Sequence, residues 1–216
     1  RENALRSARV GRAAPPDCSM TMTAEMLRAF EREIADLFEA GKILAPVHLS
    51  GVNEEALIEI FKEIAPTDYV FATYRNHYVA LLHGIPPEQV RAEILAGKSM
   101  FWSSPKYRFL TSAIVGGILP IAVGVAAALQ RRGEARQVWV FVGDMAATIG
   151  AFHEAVQYAD GQDLPIHFIV EDNGFSTDTP TLECWGTVRE FSSPRVRRYT
   201  YVRTWPHSNS GKWVNF

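Results

Sequence analysis

Two continuous apolar runs of strand length constrain this chain more than any other feature. The first is Val138, Trp139, Val140, Phe141 and Val142; the second covers residues 166–170. Neither alternates apolar with polar, so each is expected to be buried on both faces, as in a parallel sheet covered by helices. Residues 147–159 between them read as helix. Strand, helix, strand in this order predicts a parallel βαβ unit and an α/β fold, a mostly parallel sheet flanked by helices.

The rest of the chain supplies further elements. Residues 1–20 are rich in Arg, Ala and Pro and are expected to form a flexible arm, ahead of a single domain over residues 21–216. Thr23 is placed to cap a helix over 24–39, in which Met26, Leu27, Phe30, Ile34, Leu37 and Phe38 recur at helical spacing before Gly41 ends it. A second helix is expected over 54–64, stopping before Pro66, and an extended segment over 69–74. Pro86 and Pro87 open a helix over 88–96 that Gly97 closes, and an apolar helix follows over 113–131. Residues 196–203 alternate and suit an edge strand.

Composition excludes several classes. With 216 residues, 47% apolar, 21% charged and a formal charge of −2, the chain reads as soluble and globular. No net charge directs it to nucleic acid or an anionic membrane. Its most apolar stretch, 113–129, is broken by Gly116, Gly117, Pro120 and Gly124. It is shorter than the roughly 20 apolar residues a membrane span needs, so a buried helix is expected. Cys18 and Cys184 form no metal or redox spacing, which fits a reducing, cytoplasmic setting.

The chemistry is expected where the two strands end, since open α/β sheets bind ligands beyond the carboxyl ends of their strands. The first strand ends in Gly143-Asp144 and the second in Asp172-Asn173. If the strands are neighbours, Asp144 and Asn173 stand side by side. A carboxylate and an amide oxygen are hard ligands, suited to Mg²⁺ whose shell is completed by phosphate and water. A helix entered after Asp144 would aim free N–H groups at the same phosphate. Alone, a Gly-Asp at a strand end says little, and Asn173-Gly174 also suits a plain turn.

Gly143-Asp144-Met145, then 26 residues, then Asp172-Asn173 resembles the thiamine diphosphate signature Gly-Asp-Gly…Asn-Asn. Gly150-Ala151-Phe152-His153-Glu154-Ala155 and Asp163-Leu164-Pro165-Ile166 are similar to the linking segment in alpha subunits of 2-oxoacid dehydrogenase first components. Upstream, Pro46-Val47-His48-Leu49 with Asn53-Glu54-Glu55-Ala56 resembles that family's His-Leu…Gly-Gln-Glu-Ala stretch. Tyr74-Arg75-Asn76-His77 resembles its Tyr-Arg-x-His strand, and Ile114-Val115-Gly116 its Gly-Ile-Val-Gly. The likeness covers residues 23–180, with the motifs in family order.

The resemblance implies a thiamine diphosphate-binding fold of the diphosphate-binding type and a two-chain enzyme dependent on thiamine diphosphate and Mg²⁺. Such an enzyme decarboxylates a 2-oxo acid or transfers its acyl or ketol unit. Asp144, the Asn173 side chain and the Phe175 carbonyl are the implied metal ligands. The implied cofactor contacts are Gly143, the N–H groups of Met145 and Ala146, Tyr74, Arg75 and the main chain of Val115. His48 and His77 match active-site histidine positions. A beta-like partner supplying the pyrimidine-binding half and an activating Glu is implied, in an α₂β₂ assembly. Blander roles stand beside these: a surface ion pair for Arg75, core packing for Val115 and structural roles for the two histidines. Glu154 reads as a helix residue, and Arg195-Val196-Arg197-Arg198 as a solvated edge.

The sequence departs from the family at four points. Met145 replaces the third signature glycine, which would cost roughly 1–2 kcal/mol if that position needs a positive φ. Asp172 replaces the first Asn, and Phe101 follows Ser99-Met100 where relatives carry His. Only about forty residues follow Asn173, and Pro206-His207-Ser208 is only faintly similar to the family's Gly-His-Ser. Met145 and the short C-terminal part motivate a second reading, a non-catalytic partner that stabilises a beta-like chain. A nucleotide-binding domain ranks third, because no Gly-x-Gly-x-x-Gly turn follows the strong strand and no Walker-type Gly-x-x-x-x-Gly-Lys-Ser/Thr loop is present.

Overall fold

A computed structural model describes residues 22–187 and 192–214 of the chain. The arm expected over residues 1–20 lies outside the described residues. In chain order the elements are α1 (Ala24–Glu39), α2 (Glu54–Phe61), β1 (Tyr69–Ala72), α3 (His77–Leu82), α4 (Pro87–Leu95), β2 (Ser103–Ser104), β3 (Phe109–Thr111), α5 (Ile118–Arg131), β4 (Val138–Gly143), α6 (Gly150–Gly161), β5 (Ile166–Asp172), β6 (Phe175–Ser176), β7 (Thr179–Pro180), α7 (Thr181–Trp185) and β8 (Val196–Thr200).

Six strands form one sheet in the order β2-β3-β1-β4-β5-β8. Every pairing is parallel except β2 with β3. β6 and β7 form a separate antiparallel hairpin. β3 lies on one side of β1 and β4 on the other, so the strand order reverses at β1, and a crevice is expected there at the carboxyl ends.

The continuous apolar runs follow from burial on two faces. Val138, Val140 and Val142 pack with α5 and α6, while Trp139 and Phe141 pack with the layer of α1 to α4. α5 reaches the sheet through Ala122 and Ala126, whose small side chains let the helix approach closely. Thr23 caps α1 as expected, its hydroxyl oxygen accepting from the Met26 N–H at 3.2 Å.

Several boundaries differ from expectation. The apolar helix begins at Ile118 rather than residue 113. Gly116 has φ +74°, and a Cβ there would collide with the Ile149 side chain, so residues 113–117 form a turn. Residues 147–159 divide into a 3-10 turn (Ala146–Thr148) and α6, broken at Ile149, whose ψ of 155° is extended. α2 ends at Phe61, short of residue 64. The Tyr-Arg-x-His segment is not strand: β1 stops at Ala72 and His77 opens α3, five of whose six residues are buried. The alternating segment does form an edge strand, β8, over Val196–Thr200. No helix among the described residues is long and apolar enough to cross a membrane.

Candidate active site

The carboxyl ends of β1, β3, β4 and β5 surround one cleft. Its walls are Thr73, Tyr74 and Arg75 after β1, Ser112 to Val115 after β3, Gly143 to Ala146 at the end of β4, and Glu171, Asn173, Phe175 and Ser176 at the end of β5. Tyr201, just beyond β8, completes it. The structure thus gathers nine residues singled out in the sequence: Tyr74, Arg75, Val115, Gly143, Asp144, Met145, Ala146, Asn173 and Phe175. His48 and His77 do not line the cleft.

Asp144 is 2% exposed. Its Oδ2 accepts a hydrogen bond from the Thr181 hydroxyl, and its Oδ1 has no partner among the described residues. Burial raises the Asp144 pKa, the nearby Asp172 charge adds to this, and the Thr181 hydrogen bond opposes it. A buried carboxylate oxygen without a donor costs on the order of 1–3 kcal/mol, and a bound cation would remove that cost.

Asn173 is held in place on both sides. Its Oδ1 accepts from the Phe175 N–H at 2.9 Å, and its Nδ2 donates to the Tyr201 hydroxyl at 3.1 Å. A second lone pair on Oδ1 stays available, because an amide oxygen accepts twice. Asp172 is engaged elsewhere: Oδ1 accepts from the Gly174 N–H at 3.0 Å and Oδ2 pairs with Arg198 at 2.8 Å. The residue that replaces the first signature Asn therefore pins β5 to β8. Phe175 lies beneath the Arg203 guanidinium, 4.7 Å from its ring centroid.

Met145 has φ −66° and ψ −36°, ordinary right-handed values. The strain that a positive φ would have imposed is absent. The first backbone bond of the following turn runs from the Ala147 N–H to the Asp144 carbonyl at 3.1 Å. The N–H groups of Met145 and Ala146 come before it and are donors of the kind a helical turn leaves unused at its start.

Arg75 is 8% exposed and donates to two backbone carbonyls, those of Leu49 and, at 3.4 Å, His207. Its fork thus ties the 48–53 loop and the 204–210 segment to the cleft wall. Tyr74 packs against His48, with ring centroids 4.5 Å apart, and against His207 at 5.5 Å. Burial and the neighbouring His207 and Arg75 hold the His48 pKa down at about 3, so this imidazole is neutral. Burial also lowers that of His207. The Nδ1 atoms of both histidines have no partner among the described residues.

His77 lies behind the wall with no exposed surface. Its Nδ1 meets Glu31 Oε1 at 3.0 Å and its Nε2 meets Ser99 Oγ at 2.9 Å. Phe101 is exposed and outside the cleft.

Four contributors went unnoticed in the sequence. Glu171 accepts from the Tyr199 hydroxyl at 2.6 Å, and burial pushes its carboxyl up to about 7. Tyr199 and Tyr201 stand two residues apart and so share a face, a legible signal; that their strand runs beside β5 was not legible. Thr181 opens α7, a helix of five residues that is too short to show a periodicity.

The dehydrogenase E1 component family matches residues 22–187. The pyruvate dehydrogenase E1 component subunit alpha of Porphyra purpurea is 33% identical over 163 residues, covering 68% of this chain and 47% of its own length. The corresponding Zymomonas mobilis subunit is 30% identical over 165 residues, covering 71% and 47%. The chloroplastic alpha-3 subunit of Oryza sativa is 32% identical over 165 residues, covering 68% and 39%. The chain therefore spans about half the length of these relatives or less. A Mycobacterium smegmatis protein described as a putative thiamin diphosphate-dependent enzyme aligns over 62% of this chain and 23% of its own, with a TM-score of 0.44 and 20% identity. With the family match covering β1 to α7 and every strand end that forms the cleft except that of β8, this chain belongs to the dehydrogenase E1 component family.

Proposed function

We propose that this chain is the alpha subunit of a two-chain enzyme dependent on thiamine diphosphate and Mg²⁺, in which residues 21–216 act as one diphosphate-binding domain. The enzyme would decarboxylate a 2-oxo acid or transfer its acyl or ketol unit; the relatives named above are pyruvate dehydrogenase subunits. The observation that carries this reading is the buried Asp144 carboxylate, one oxygen unpartnered, in a cleft it shares with Asn173.

Asp144, Asn173 and the Phe175 carbonyl would hold the metal. Gly143, the N–H groups of Met145 and Ala146, Tyr74 and Arg75 would receive the diphosphate, and the Val115 main chain the aminopyrimidine. Bound thiamine diphosphate supplies the nucleophilic carbon and the electron sink that the carbonyl chemistry needs. The protein's own part is to fix orientation and handle protons. Neutral His48 and His207 pack against Tyr74 of the cleft wall and would offer hydrogen-bonding nitrogens at that end of the cleft. His77, bonded inward at both nitrogens, is assigned no part in the reaction.

A beta-like partner, giving α₂β₂, would carry the pyrimidine-binding half and the activating Glu. Ile114 and Val115 on the cleft wall and Leu182 and Trp185 on α7 are exposed large apolar side chains that such a partner would cover. The non-catalytic alternative rested on Met145 and the short C-terminal part; the unstrained conformation of Met145 removes the backbone-strain argument for it.

The test is calorimetric titration of thiamine diphosphate into the chain purified with its beta partner, with Mg²⁺ and then with a chelator. Near-stoichiometric binding that needs Mg²⁺ is expected. No binding by a folded complex overturns the proposal.

A further inference from the structure

Asp144 presents two carboxylate oxygens to its surroundings, and they are treated differently. Oδ2 accepts from the Thr181 hydroxyl, and Oδ1 is buried with no partner among the described residues. The terminal torsion of an aspartate is broad, so a single donor on one oxygen decides where the other points.

Thr181 is itself well fixed. It is 5% exposed, and its N–H donates to the Gly174 carbonyl at 2.9 Å. It follows Pro180, which pairs with Phe175 across the β6–β7 hairpin. As a β-branched residue it has few χ1 choices, so its hydroxyl stays where the backbone puts it. Gly174 in turn directly follows Asn173, in a turn closed by the Asn173 Oδ1 bond to the Phe175 N–H. A circuit results. Asn173 leads to Gly174, the Gly174 carbonyl holds Thr181, and the Thr181 hydroxyl holds Asp144.

We infer that Thr181 is a positioning residue for the cation site. Its hydroxyl holds Asp144 Oδ2, turns Oδ1 toward the metal, and sets the Asp144 carboxylate in register with the Asn173 amide, though the two come from different strands. This rests on the function proposed above. It adds a residue beyond the signature motifs that controls metal affinity without touching the metal. The opposing possibility is that the hydroxyl competes with the cation for Asp144, in which case its removal would tighten binding.

The experiment compares wild type, Thr181→Val and Thr181→Ser in the complex with the beta partner. Calorimetry reads thiamine diphosphate binding across a series of Mg²⁺ concentrations, and thermal unfolding of the ligand-free complex is followed in parallel. Valine keeps the shape and removes the donor. It is expected to raise the Mg²⁺ concentration needed for half-maximal binding about 10–100-fold, the usual effect of losing a partner of a metal ligand. Serine is expected to restore the wild-type requirement to within about threefold, a rescue that a packing role for the methyl group would not give. If the valine variant does not fold, Thr181→Ala takes its place. An unchanged or lowered Mg²⁺ requirement in the variant lacking the hydroxyl, with wild type binding normally, overturns the inference and leaves the proposed function standing. Absence of Mg²⁺-dependent binding in wild type overturns both.

Discussion

Four consecutive residues, Tyr74 to His77, serve two regions built on opposite principles. Tyr74 and Arg75 line the cleft, whereas Asn76 and His77 turn into the core beneath it. In the core, polar groups satisfy one another. Asn76 Nδ2 donates to the carbonyls of Thr73, Tyr74 and Ser99, its Oδ1 accepts from the Trp102 indole at 3.1 Å, and both His77 nitrogens are bonded; in this network Glu31 Oε2 is left without a partner among the described residues. Around the cleft the same kinds of groups stay unmatched among the described residues: Asp144 Oδ1, His48 Nδ1 and His207 Nδ1. A saturated network stabilises the fold, and unsatisfied groups at strand ends are a stability cost that a ligand can remove.

The widest separation of the two regions is expected from His77→Ala. It leaves Glu31 Oε1 and Ser99 Oγ buried without their partner and should lower folding stability by about 3 kcal/mol or more. Urea denaturation measures this. The fraction that stays folded should keep wild-type cofactor affinity, and a loss of affinity at unchanged stability would place His77 with the cleft instead.

Asp144→Ala should do the reverse. Mg²⁺-dependent thiamine diphosphate affinity is expected to fall about 100-fold or more, roughly 2.7 kcal/mol. The ligand-free complex should melt at the same temperature or higher, because an unmatched buried carboxylate is gone. A large drop in the melting temperature would mean that Asp144 belongs to the stabilising network.

The pH dependence of stability sharpens the contrast further. The His48 pKa lies at about 3, below the unfolded value of 6.5, so the folded state favours the neutral ring. The stabilisation is present above pH 6.5 and is lost as pH falls toward 3, by up to about 1.4 kcal/mol per pH unit for this group. His83, His167 and His207 are shifted the same way and steepen the slope. Urea midpoints measured from pH 4 to 7 should fall less steeply for His48→Gln than for wild type.

The smallest effect is expected at Met145. Its φ of −66° asks nothing of a glycine. Met145→Gly should change cofactor affinity by no more than about threefold, under 1 kcal/mol. A gain of tenfold would show that the side chain crowds the diphosphate.

Much of this was readable from the residues alone. The two apolar runs determined the parallel βαβ unit, because only strands covered on both faces dispense with alternation. Asp144 and Asn173 were readable as neighbours in one cleft, because parallel strands bring their carboxyl ends to one edge. Helix boundaries near the cleft differ from expectation at residues 113–117, which contribute to its wall, and at Ile149. Apolar composition suggested helix there, but Gly116 adopts a positive φ and packs closely against the Ile149 side chain, which sets the turn.

What only the tertiary structure decided is which polar groups meet a partner. Nothing local distinguishes His77 from His48. One finds Glu31 and Ser99, 46 and 22 residues away, and the other finds no donor or acceptor for its Nδ1 among the described residues. Thr181 reaches Asp144 across 37 positions, and Tyr199 reaches Glu171 from a strand whose place beside β5 no spacing reveals. Periodicity carries the elements and the end of the sheet where chemistry sits. Saturation of hydrogen bonds depends on contacts between distant segments, and it exists only once the chain has folded.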